Sequence, residues 1–275
     1  MKLKFHDYDY FLSLPYYQNE DNVKAEADKY IQHKIDRDGY YSYSGYPSVT
    51  SVLSMMNPDQ EMILERWRAK LRRQGLDPAK VSRNYADIGT AIHYAIGSRI
   101  SFPIELEPPK WSIDEYPDNC EEYVGNGLYM WNLLTRGDNP TLTIESATCE
   151  IYGKNEKYKY AGIYDLYGIV NGKRTILDFK TSPKCKPDYL LQLGAYSLFQ
   201  NKMPEQGIIV NLCPDDRNPD LRPSVTIIDE EQLQQAADSW VSMISAFHAI
   251  FDEYLPVVKR ENHDAPIRNA MQKTA

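Results

Sequence analysis

Gly162-Ile163-Tyr164-Asp165-Leu166-Tyr167-Gly168-Ile169-Val170-Asn171-Gly172-Lys173-Arg174-Thr175-Ile176-Leu177-Asp178-Phe179-Lys180 is the stretch that decides the fold. Asn-Gly between two runs rich in β-branched and aromatic residues predicts a two-residue type I′ hairpin. With Asn171 and Gly172 as the loop, Val170 pairs with Lys173, and counting outward sets Asp165 opposite Asp178. Side chains alternate along a strand, so Lys180 shares the face of the two carboxylates. Tyr164, Leu166, Leu177 and Phe179 are expected to line the other face. Carboxylates placed opposite each other repel unless something neutralises them, and a divalent cation would do so. The alternative is a set of ordinary cross-strand ion pairs with Lys180 and Arg174 on an exposed sheet face.

Outward from the hairpin, a period of two over 142–152, 158–170 and 174–181 predicts three strands. A helix is expected over 187–199, strands over 207–212 and 224–228, and a long helix over 230–254. Before residue 141 the pattern is helical. Ser48 or Thr50 caps a short helix after Pro47, Asn57-Pro58-Asp59 starts a helix over about 60–74, and further helices are expected over 85–100 and 120–134. The predicted organisation is a Tyr-rich N-terminal segment (1–46) with no assigned elements, a helical lobe (47–140), a core (141–256) and a polar tail (257–275), one domain overall. Pro103, Pro108, Pro109 and Pro117 interrupt the lobe.

The chain has 275 residues, 42% hydrophobic and 25% charged, the composition of an ordinary globular protein rather than a disordered one. No run approaches the length of a membrane span, and Met1 to Asp7 lacks the apolar centre of a signal peptide, so a cytosolic protein is expected. Cys120, Cys149, Cys185 and Cys213 are widely separated and read as reduced thiols, not as a metal site. The net charge is −8, which disfavours a broad DNA-coating face. Between Ile151 and Pro187, however, eight Lys or Arg stand against three acids, so a polyanion is expected to bind there. The 60–74 helix carries Arg66, Arg68, Lys70, Arg72 and Arg73, which form either a solvated face or a track for a phosphate backbone.

Four motifs in order, Gly89-Thr90-x-x-His93, Gly162-Ile163-Tyr164-Asp165, Asp178-Phe179-Lys180-Thr181 and Gln192-Leu193-Gly194-Ala195-Tyr196, resemble the RecB-type branch of the PD-(D/E)xK nucleases. Pro47 to Leu53 and Glu65-Arg66-Trp67 further resemble the mitochondrial genome maintenance exonucleases and their phage relatives. The likeness covers about Pro47 to Phe199. It implies an α/β, restriction-endonuclease-like core with a central mixed sheet flanked by helices and an N-terminal helical lobe. It implies Mg²⁺ or Mn²⁺ held by His93, Asp165, Asp178 and the main-chain carbonyl of Phe179, with Lys180 positioning the attacking water. Gln192 and Tyr196, at i and i+4 on one helix face, would support the site and contact substrate, and Glu150 could add a carboxylate. Thr181 and Lys184, beside the site, join the basic helix as expected DNA contacts. Tyr164 stands where the family often has Pro, a departure common in this branch. The late cysteine cluster that binds iron and sulfur in some members is missing, so no iron–sulfur cluster is expected. The implied activity is a DNA exonuclease acting on single strands or free ends, with a structure-specific endonuclease or an inactive nucleic-acid-binding subunit as the alternatives.

Overall fold

The computed structural model describes residues 7–38, 46–100 and 119–255. Its elements are α1 (Tyr8–Ser13), α2 (Glu20–Asp38), α3 (Val49–Met55), α4 (Pro58–Arg73), α5 (Pro78–Ile100), α6 (Cys120–Thr135), β1 (Ile144–Asn155), β2 (Tyr160–Val170), β3 (Lys173–Lys180), α7 (Pro187–Ser197), β4 (Gln206–Asn211), β5 (Ser224–Asp229) and α8 (Glu230–Phe251). The five strands form one mixed sheet in the order β1-β2-β3-β4-β5. β1, β2 and β3 are an antiparallel meander, α7 links β3 to its parallel neighbour β4, and β5 returns antiparallel. The chain is therefore α/β, a central mixed sheet flanked by helices. Among the described residues no helix is long and apolar enough to cross a membrane.

The Asn-Gly hairpin forms as expected. Asn171 and Gly172 sit at φ 51° and 73°, the positive values a type I′ turn requires, and Val170 pairs with Lys173. Helix starts also follow local chemistry. Ser48 accepts the N–H of Ser51 at the head of α3, Pro58 opens α4, and Asp229 with Gln232 forms a capping box on α8. Helix α5 begins at Pro78, a turn and more ahead of the expected 85, because Asp77 accepts the N–H of Ala79 and proline suits the first helical position.

Two apolar layers sandwich the sheet. On one face Ile176, Ile209 and Ile228 meet Leu193 and Tyr196 of α7 and Trp240, Ile244 and Phe247 of α8. On the other, Leu166, Leu177, Phe179, Ile208 and Val210 meet Ile88, Ile92 and Ile96 of α5 and Met130 and Trp131 of α6. The N-terminal segment expected to carry no elements instead forms α1 and α2, whose Phe11, Val23, Ala27 and Tyr30 join the first layer. Tyr17 reaches the ring of Phe251 and donates its hydroxyl to the carbonyl of Met55. The Pro-rich stretch, the tail beyond Leu255, and Tyr40, Tyr41 and Tyr43 lie outside the described residues.

One correction to the sheet governs the site. Tyr164 and Leu166, two residues apart, were expected on one face, yet Tyr164 packs on Tyr196 and Phe199 while Leu166 lies in the opposite layer. In β1, Cys149 lies in the second layer and Ile151 packs on the first. Cys149 pairs with Leu166 and Ile151 with Tyr164, so both strands change face across one level, that of Glu150 and Asp165. Glu150 has φ 53°, a left-handed backbone costly for a residue with a Cβ, and this is the kink that turns β1 over.

Candidate active site

The β2–β3 ladder runs from Val170–Lys173 to Leu166–Leu177 and stops there. Asp165 and Asp178 thus do not form the directly opposed pair that regular counting predicted. Instead the Asp165 carboxylate turns into the gap between the strands, where Oδ2 accepts the N–H of Phe179 at 2.6 Å. Asp165 Oδ1 faces Nδ1 of His93, 3.3 Å away, and Glu150 Oε1 lies 3.9 Å from the same nitrogen. Atoms of His93, Glu150 and Asp165 able to ligate a metal all fall within 4.8 Å of one another.

Asp178 and Lys180 follow on β3, on the side of the sheet that faces α7. Asp178 is 1% exposed, and its Oδ2 makes a close ion pair with the Lys180 ammonium. That ammonium also lies over the Tyr189 ring of α7, 4.9 Å from its centre. Next along α7, Gln192 donates to the Tyr196 hydroxyl at 2.8 Å, both side chains buried.

Burial sets the electrostatics. It pushes the Asp178 carboxyl up, and the nearby Asp165 adds to this against the pull of Lys180. Burial works the same way on Asp165, but His93, Lys180 and the Phe179 N–H outweigh it and hold that carboxyl below its usual value. His93 is disfavoured as a cation by burial, yet Asp165 and Glu150 raise it to about 9. Burial and the negative charge of Asp178 push the Tyr196 hydroxyl well above its normal value, so it stays protonated and can donate. Three acids, one imidazole and one ammonium are therefore gathered at a single break in the sheet.

A nitrogen and several carboxylate oxygens, partly buried and with excess negative charge, suit a divalent cation such as Mn²⁺ or Mg²⁺ rather than a thiolate-loving metal. The structure brings His93, Asp165, Asp178, Phe179, Lys180, Gln192 and Tyr196 into one neighbourhood. It adds Glu150 as an equal member, which counting from the hairpin could not place because its backbone leaves the strand conformation.

Thr181 follows Lys180, and its hydroxyl would lie in ordinary contact with a Cβ at Gly89 of α5, 3.4 Å away. Lys184 is exposed on the loop after β3. Three basic residues of α4, Arg68, Arg72 and Arg73, find partners within the helix itself. Helix α4 packs on α3 and α5, Arg68 and Arg72 pair with Glu65, and Arg73 donates to the carbonyl of Ala69. Arg66 and Lys70 are exposed.

Two residues of the loop after β4 escaped the sequence reading. Asp215, whose side chain is 2% exposed, is gripped by Arg217. The Arg217 Nε and Nη2 donate to its two oxygens at 2.6 to 3.0 Å, and Nη2 also reaches the carbonyl of Thr181 at 3.3 Å. Only the D-x-R spacing in an otherwise polar loop marked them.

No family model matches the chain. It is similar to the mouse protein mitochondrial genome maintenance exonuclease 1, 31% identical over 159 residues, which are 54% of this chain and 43% of the relative. The chain thus spans less than half the length of the curated relative it matches. Among solved structures, that of SSO0001 overlaps 82% of this chain and 87% of its own, with a TM-score of 0.32 and 15% identity, too loose a likeness to bear on function.

Proposed function

We propose that this chain is a metal-dependent DNA exonuclease of the PD-(D/E)xK type, a single nuclease domain that hydrolyses phosphodiester bonds of single strands or free duplex ends. The observation that carries the reading is the convergence of His93, Glu150 and Asp165 beside the Asp178–Lys180 ion pair at one kink of the sheet. The similarity to an exonuclease over the half of the chain it covers supports the same conclusion.

His93, Glu150 and Asp165 would hold the cation, with Asp178 and the carbonyl of Phe179 close enough to complete the set. A divalent cation there supplies Lewis-acid stabilisation of charge developing on the phosphate and makes water easier to deprotonate. The protein's share is positioning. The Phe179 N–H fixes the rotamer of Asp165, so one of its oxygens stays turned toward His93. Lys180, steadied by Asp178 and the Tyr189 ring, offers its ammonium protons to the attacking water and to a non-bridging phosphate oxygen. Water attacks phosphorus and gives up a proton to a neighbouring carboxylate or to solvent, the bond to the leaving sugar oxygen breaks, and that oxygen takes up a proton. Gln192 and Tyr196 close the α7 side of the site and hold a donor next to the carboxylates. The exposed basic residues Arg66, Lys70, Arg72 and Lys184, with Arg68, Arg73 and Thr181, serve the strand outside the reacting phosphate.

The test is digestion of end-labelled linear single-stranded DNA, linear duplex and circular single-stranded DNA with Mg²⁺, with Mn²⁺ and with EDTA. The expected result is metal-dependent loss of linear strands with circles intact. Cut circles would show an endonuclease on the same fold, and no cleavage of any substrate would leave a nucleic-acid-binding subunit.

A further inference from the structure

Beyond the carboxylate cluster, the Arg217 guanidinium stands at the edge of the site in a fixed pose. Its Nε and Nη2 are committed to buried Asp215 and to the carbonyl of Thr181, the residue after Lys180. The loop that carries it is itself pinned. Asn126 of α6 donates to the carbonyl of Pro214, and Asn218 donates to those of Cys213 and Arg222. Among the described residues Nη1 has no partner, and the Arg217 side chain is 43% exposed. The guanidinium lies over the ring of Tyr85, its carbon 4.9 Å from the ring centre, and Tyr85 is itself 40% exposed.

The placement of this pair follows α5. Tyr85, Gly89 and His93 are spaced i, i+4 and i+8, one stripe of the helix. The stripe leads from the ligand cluster at His93, past bare Gly89 and Thr181, to Tyr85 and Arg217. Eight residues of helix span about 12 Å at ~1.5 Å per residue. A stacked strand covers that distance in about three to four nucleotides at ~3.4 Å each. A guanidinium with a free edge stacked on a partly exposed aromatic ring is chemistry that holds single-stranded nucleic acid, the charge on a phosphate and the remaining exposed part of the ring against a base. Because its pose is already held by Asp215, Arg217 loses little side-chain entropy on binding.

Resting on the nuclease reading above, we propose that Arg217 is a substrate contact. It binds a backbone phosphate about three nucleotides from the reacting one, with Tyr85 supporting the adjacent base. Asp215 is the positioning residue that aims it.

The experiment measures binding of a fluorescent single-stranded oligonucleotide in EDTA, across a range of salt, by the wild-type chain and the double variant D215A/R217A. The double variant removes the buried carboxylate together with its partner, so no unpaired charge is left to unfold the loop. A melting curve on each protein reports folding. The expected result is about tenfold weaker binding by a folded double variant, with the logarithmic salt slope shallower by about 0.7, the value for one phosphate on a single strand. Oligonucleotides carrying one neutral methylphosphonate, moved stepwise along the strand, should show a position whose loss weakens the wild type and leaves the double variant unaffected. Equal affinity, slope and methylphosphonate profile in the two proteins, with only the melting temperature changed, would make Arg217 a loop tether and overturn the proposal. In that case wild-type cleavage of linear DNA would show that the nuclease reading itself stands. A wild-type chain that neither binds nor cleaves DNA would overturn both.

Discussion

The carboxylate of Asp165 accepts the backbone N–H of Phe179 at 2.6 Å, at the point where β2 and β3 cease to pair. A side chain has taken the place of a strand partner, and its second oxygen is thereby turned to His93. The interruption of the sheet and the assembly of the candidate ligands are one event.

The kink at Glu150 costs stability. A non-glycine residue in the left-handed region costs about 1–2 kcal/mol, a strain glycine would relieve. Glu150→Gly should therefore be at least as stable to urea as the wild type while binding Mn²⁺ at least about tenfold more weakly, since a carboxylate is lost. Calorimetric titration of both proteins checks this. Wild-type Mn²⁺ affinity in the glycine variant would remove Glu150 from the ligand set.

Tyr196→Phe deletes the hydroxyl that accepts from the Gln192 amide inside the protein. An orphaned buried donor costs about 1–3 kcal/mol. Urea denaturation should show a loss of that size, and single-turnover cleavage should slow about a hundredfold, the lower end for an acid–base group. Unchanged stability would mean that Gln192 finds another partner.

Helices α7 and α8 touch at Gly194. A Cβ there would lie 2.4 Å from the carbonyl carbon and 2.6 Å from the oxygen of Ala236, backbone atoms that cannot swing aside. Gly194→Ala should cost about 3 kcal/mol or more, the upper range for overpacking, and be read as a lowered midpoint in urea. A variant as stable as the wild type would show that the two helices can separate freely.

Asp215 supplies acid-sensitive stability. Burial opposes its charge, but Arg217 hydrogen bonds prevail and hold its pKa below the usual carboxylate value. With a lowered folded pKa, the contribution is fully present above the unfolded value near 3.9 and is lost as pH falls through the folded one. The stability advantage of the wild type over Asp215→Asn should therefore be constant from about pH 7 to 5 and shrink below about 4. A gap that stayed constant through acid would contradict the assignment.

How much of this was legible follows from how local each signal is. The hairpin, its register near the turn and most helix starts were legible, because Asn-Gly, Ser48, Pro58 and the Asp229/Gln232 pair act on their immediate neighbours. Helix α2 was missed although Val23, Ala27 and Tyr30 recur at helical spacing, since the surrounding charges and tyrosines masked the stripe. The change of face at Glu150 and Asp165 was illegible, because counting along a strand assumes regular alternation and no residue type announces a left-handed glutamate. Asp165, Asp178 and Lys180 were picked out by alternation along the hairpin and His93, Gln192 and Tyr196 through motif order, and the structure gathers them. Glu150 lacked a register until the kink was seen, and Asp215 and Arg217 acquire meaning only when the loop after β4 folds against Thr181.

The most direct test of the central claim is metal-dependent cleavage of linear single-stranded DNA by Asp178→Asn beside the wild type, with DNA binding measured on the same samples. The substitution keeps the shape of the buried side chain and removes the charge that pairs with Lys180. The account predicts a fall in cleavage rate of at least about a hundredfold, the scale for losing one key electrostatic element of a site, with single-strand affinity nearly unchanged. Cleavage at the wild-type rate with Mg²⁺ or Mn²⁺ would contradict it.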